Sequence, residues 1–114
     1  MTGMSLRTQA RLWYWQRMSA MVLALCVFVH IGIVIYAVRG GLSASQILGR
    51  TRGNVPMALF YAAFVVACAV HVPIGLLRIA EEWLKRRAWY PWAALAAAVL
   101  LLVMGLRALY GMFL

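Results

Sequence analysis

Three long apolar stretches, separated by short polar ones, dominate the pattern of the chain. They cover residues 18–38, 55–77 and about 91–113. Each is long enough to cross a bilayer as a helix, which takes roughly 20 residues. Polar flanks extend the helical reading to about 16–38, 56–83 and 91–113, with Pro56 suited to a first turn. The pattern predicts an all-α integral membrane protein, one three-helix bundle forming a single domain over 1–114, with no stretch left for a soluble domain. Between the first two spans, Gly40 and Gly41 are followed by LSASQILGRTRGN. There Ser43 or Ser45 is expected to cap a short interfacial helix ending at Gly49.

Composition reinforces this reading. The chain is 67% hydrophobic and 11% charged, too little polar surface for a soluble domain of this size. Three helices also bury little against one another, so an obligate partner is expected. The net charge of +9 does not point to nucleic acid, because the basic residues sit at the ends of the spans. Arg7, Arg11 and Arg17 precede the first helix, and Arg78, Lys85, Arg86 and Arg87 follow the second, against Arg39, Arg50 and Arg52 in the loop between. That bias predicts a cytoplasmic N-terminus. Trp13, Tyr14 and Trp15 form an interfacial aromatic belt, and Arg107 is expected to snorkel. Cys26 and Cys68 lie mid-span without metal-ligand spacing and read as small hydrophobes. The first apolar run is longer than a signal-peptide core, so no cleavable signal is expected.

Candidate chemistry is sparse. There is no aspartate, and the two glutamates, Glu81 and Glu82, are adjacent. No serine or cysteine lies near both a base and an orienting acid, and there is no glycine-rich phosphate loop. What remains is two histidines at lipid depth, where an ionisable residue is a functional candidate by default. In residues 71–85, HVPIGLLRIAEEWLK, a helix places His71, Gly75, Arg78 and Glu82 on one stripe. Pro73 removes a backbone donor within it. In the first helix Ser19, Leu23, Cys26 and His30 share a stripe with Gln16 close by, although Leu23 interrupts the lane of small residues. Imidazoles from facing helices, with a gap beside them, can hold a haem. Cross-bundle hydrogen bonding or a proton relay are the alternatives. The third span is featureless and is assigned to packing and lipid contact.

The stretch after His71 resembles the second helix of the haem b membrane anchors of succinate dehydrogenase and related fumarate reductases. In that family a histidine followed four residues later by glycine ligates haem, and an acid–aromatic pair ends the helix near the quinone; the matches are His71, Gly75, Glu82 and Trp83. The opening of helix one, QRMSAMVLAL, is similar to the same family's arginine–x–small–small motif through Arg17, Ser19 and Ala20. The resemblance implies a haem b and quinone-binding anchor subunit of a succinate:quinone oxidoreductase. Its expected partners are a flavoprotein subunit, an iron–sulfur subunit and a second membrane anchor, and its expected location is the bacterial inner (cytoplasmic) membrane as a multi-pass protein. By the same resemblance the anchor is not expected to act on the dicarboxylate itself, but to contribute to the quinone site of an oxidoreductase complex. His71 becomes the haem axial ligand, Gly75 the point of haem approach, and Ser19, Arg17, Trp83 and Glu82 the quinone neighbours. Trp83 departs from the tyrosine often found there; an indole N–H donates but cannot relay a proton as a phenol can.

His30 is left over. Its depth differs from that of His71 by about 10 Å, which argues against one shared iron. It is therefore structural, in contact with a propionate, or the ligand of a second haem. In each case the second ligand to the His71 haem is expected from the partner anchor. Two other readings compete: a haem-free quinone-binding anchor or a cytochrome b of another quinone-linked dehydrogenase, and a non-redox assembly factor or small transporter subunit.

Overall fold

The computed structural model describes residues 5–84 and 90–114. Four helices follow one another: α1 (Leu6–Gly40), α2 (Ala44–Thr51), α3 (Val55–Trp83) and α4 (Tyr90–Phe113). Three of them, α1, α3 and α4, are long and apolar enough to cross a membrane. The central helix is α3, which packs against both α1 and α4. The bundle is 51 Å long and 23 Å across. Little of it is shielded: Phe28 is 78% exposed and Trp92 72%, a surface that lipid or a partner must cover. Lys85, Arg86 and Arg87, on which part of the charge argument rests, lie outside the described residues.

The first helix starts ten residues before the expected Gln16. Ser5 caps it by accepting from the Thr8 amide at 3.2 Å. The reason for the early start is visible in burial. Gln9, Leu12, Gln16, Ser19, Leu23, Cys26 and His30 are all buried or half-buried, at alternating spacings of three and four. The seam against α3 therefore continues into sequence that hydropathy leaves out, and a coiled-coil-like repeat can include polar members. At ~1.5 Å per residue α1 is about 52 Å long, well beyond the ~30 Å hydrocarbon layer.

The interhelical loop is more ordered than a plain connection. Ser43 is the cap of α2, with its side chain accepting from the Gln46 amide at 3.2 Å and the Gln46 side chain accepting from the Ser43 amide at 3.1 Å. The helix runs to Thr51, two residues past the expected end at Gly49. Gly41 at φ +109° makes the turn out of α1; a β-carbon there would collide with the Gln46 side chain. Thr51 is buried and donates to the Met112 carbonyl at 2.8 Å, while the Gly53 amide donates to the Phe113 carbonyl at 3.1 Å. These bonds satisfy carbonyls at the C-terminal end of α4 that have no partner within the helix.

Asn54 caps α3 through the Met57 amide at 3.2 Å, and the helix continues through Pro73 to Trp83. On its α4 side the approach is close. A β-carbon at Gly105 would lie 2.5 Å from Val65 Cγ1, so only glycine fits. The third span thus contains one position fixed by packing, where its sequence looked uniform. Arg107 is exposed, as a snorkelling side chain requires.

Candidate cofactor-binding site

The site lies on the seam between α1 and α3, at the half of the bundle nearer the chain's N-terminus. Ser19 faces α3 because it belongs to the buried repeat of α1; it is only 6% exposed. Its Oγ donates to the Gln16 carbonyl at 3.1 Å, one turn back in its own helix. The same oxygen is 3.3 Å from His71 Nδ1. His71 is half-buried, so part of its ring remains accessible. Gly75 sits one turn further along α3, opposite Gln16; a β-carbon there would meet Gln16 Nε2 at 3.4 Å, an ordinary contact.

Two buried polar atoms near this seam have no hydrogen-bond partner, Gln16 Oε1 and Arg78 Nε. An acceptor and a donor left unpaired away from water are costly. A side of the seam that carries two such atoms is suited to a polar ligand edge. Along α3, the expected stripe holds through His71, Gly75 and Arg78, all half-buried, but Glu82 is exposed while Glu81 is half-buried.

The remaining quinone candidates are not brought together with Ser19. Arg17 points outward, with its guanidinium 5.3 Å from the Trp13 ring centroid in a cation–π contact. Trp83 is 82% exposed. It lies about 18 Å along α3 from His71, at ~1.5 Å for each of twelve residues. One quinone head cannot touch all four residues within this chain.

A second polar pair occupies the other half of the seam. His30 Nδ1 is 2.8 Å from the Tyr61 hydroxyl, and its ring meets Phe64 edge-on with centroids 5.8 Å apart. A cavity of about 390 Å³ opens beside the pair, lined in part by Tyr36, Arg50 and Asn54. The larger cavity, about 470 Å³ between α3 and α4, is apolar and touches neither histidine. Because Ser19 marks the level of His71 on α1, His30 lies eleven residues, or about 16 Å, from that level. The separation exceeds the 10 Å read from sequence, and one iron cannot take both imidazoles.

Sequence reasoning missed Tyr61, and placed Gln16 beside the Ser19 stripe without giving it a role. For Tyr61 a signal existed, since a phenol and an imidazole at lipid depth each need a partner. For Gln16 the helical stripe gave the face but not the partner, because its environment depends on the register of α1 against α3. A Tyr61→Phe variant is expected to lose roughly 0.6–2 kcal/mol of stability, the range for hydrogen bonds between membrane helices. Thermal unfolding in detergent checks this; an unchanged midpoint would mean that water or lipid replaces the phenol.

Among the described residues no three His, Cys, Asp or Glu side chains converge to hold a bare metal ion. A haem iron asks less of one chain, a single axial imidazole with room beside it. His71 can supply that imidazole: Nδ1 is engaged by Ser19, the ring is half-buried, and the neighbouring turn presents a glycine with the Gln16 side chain over it. His71 and Gly75 are therefore the residues suited to a haem, with Gln16 Oε1 and Arg78 Nε as neighbouring polar atoms that lack a partner among the described residues.

Together these features define a polytopic helical membrane protein with a histidine-centred polar seam between two spans. The family model described as succinate dehydrogenase/fumarate reductase transmembrane subunit matches residues 2–107. The chain belongs to that family: it is a multi-pass membrane anchor and a member of a succinate dehydrogenase/fumarate reductase complex. No curated protein and no solved structure matches it.

Proposed function

We propose that this anchor carries haem b on His71 and contributes to a quinone site, passing electrons between an iron–sulfur subunit and quinone in a succinate:quinone oxidoreductase. The observation that carries the reading is the setting of His71: Nδ1 lies 3.3 Å from the hydroxyl of a buried serine, and a glycine follows one turn along the helix. Haem b, when bound, supplies a one-electron carrier through the ferric and ferrous states of its iron. His71 would hold the iron, Gly75 would keep that face of α3 free of a side chain, and Gln16 and Arg78 would offer polar atoms beside it. A second nitrogen ligand would come from a partner anchor, since His30 is a further 16 Å or so along the bundle.

The basic residues support an orientation with the N-terminal end in the cytoplasm of a bacterial inner membrane. There a flavoprotein and an iron–sulfur subunit dock. Arg17, Glu82 and Trp83 lie toward that end, exposed and open to partner subunits, where they contribute to a quinone pocket completed by other chains. The test is purification of the intact complex from its own membranes. Co-purifying flavin and iron–sulfur centres with a reduced-minus-oxidised haem b spectrum, at one haem per anchor pair, is the expected result. Two haems per pair would assign His30 a haem of its own, and a complex without haem would overturn the haem assignment.

A further inference from the structure

We propose that Ser19 is a positioning residue for His71, fixing which imidazole nitrogen faces the iron, and is not a contact to quinone. The inference rests on the reading of His71 as a haem ligand and assigns its hydrogen-bond partner within this chain. The argument begins with one hydroxyl proton. Ser19 Oγ lies 3.1 Å from the Gln16 carbonyl oxygen, which has no proton to give, so the hydroxyl donates to it. The oxygen then has only lone pairs to offer His71 Nδ1 at 3.3 Å. That bond needs a proton on Nδ1. In the neutral ring the lone pair is consequently on Nε2, the nitrogen that must meet a metal.

Burial makes this selection effective. Ser19 is 6% exposed, so water does not compete readily for its oxygen. The serine is in the buried repeat of a helix whose neighbours on both sides, Gln16 and Leu23, also face α3, so its position is set by packing. A hydrogen bond accepted from the non-ligating N–H orients the ring and increases its basicity. A more basic imidazole favours ferric iron and lowers the reduction potential, since hydrogen bonding around the axial ligand is one of the protein's levers on it. The levels agree with this role and not with quinone contact. Ser19 is beside His71, while Trp83 is about 18 Å along the bundle.

The test uses the purified complex with Ser19→Ala, Ser19→Thr and, as a reference, His71→Ala. Haem b is titrated potentiometrically by its absorbance, and haem retention is followed after challenge with a soluble haem-binding apoprotein. Ser19→Ala is expected to shift the midpoint to more positive potential and to weaken retention about 10–100-fold, the usual cost of losing such a partner. Ser19→Thr keeps the hydroxyl and is expected to restore both. A Ser19→Ala complex with wild-type potential and retention overturns the inference; lowered quinone reduction alone would return Ser19 to the quinone. A Thr variant that shifts as far as Ala also overturns it, because volume and not the hydroxyl would then be responsible. Retention of the full parental haem b content by His71→Ala would overturn the underlying haem reading, a result independent of the two serine variants.

Discussion

A His71→Ala complex is expected to lose its haem b spectrum entirely. Alanine removes the nitrogen proposed as the axial ligand and leaves no other histidine within about 16 Å along the bundle. The fold should survive. Ser19 Oγ keeps its bond to the Gln16 carbonyl, so no buried hydroxyl is left unpaired. Gly75→Ala is the companion variant. Its new β-carbon would meet Gln16 Nε2 at 3.4 Å, which the seam can accept. Helix stability should rise by roughly 0.5–1 kcal/mol on replacing glycine. Loss or perturbation of haem in that variant would report the approach of the macrocycle and not damage to the bundle. Difference spectra of both variants, alongside circular dichroism, decide the matter; an unchanged haem spectrum in His71→Ala sinks the assignment.

The largest effect on assembly is expected from Gly105→Leu. At this position a β-carbon alone would lie 2.5 Å from Val65 Cγ1 and 2.8 Å from Cγ2. Leucine adds three more carbons in the same direction. Overpacking a tight contact costs typically about 1–3 kcal/mol, and here α3 and α4 would have to separate. Little else compensates, because almost none of the residues in these spans is buried within the bundle. The detergent-solubilised variant should unfold at lower temperature than the parent. Adding Val65→Ala makes room and should restore part of the loss. An unaltered melting temperature in Gly105→Leu would show that the α3–α4 contact does not hold the bundle.

The parts of this architecture that were legible in the sequence are those encoded by local physics. Each span was readable because lipid demands a continuous apolar run, and an α2 cap at Ser43 or Ser45 because serine favours that position; the choice of Ser43 rests on its reciprocal bonds with Gln46. The first ten residues of α1 were not, since Gln9 and Leu12 belong to a seam whose other side is α3. The same holds at the site. His71 and Gly75 share a helix, so their relation followed from angular spacing alone. The pairing of Ser19 with His71, fifty-two residues apart, depends on how two helices are set against each other. Arg17 and Trp83 carry a family pattern that this chain does not gather: Arg17 lies over the Trp13 ring and Trp83 is exposed.

The bonds from Thr51 and Gly53 to the last turn of α4 also constrain how the chain can be built into a membrane. The loop after the first span is held by carbonyls of Met112 and Phe113, among the final residues of the sequence. That loop cannot take its final seat while the ribosome is still producing the third span. Seating of the anchor is therefore completed only once its third span is made: the last turn of α4 latches a loop formed two helices earlier.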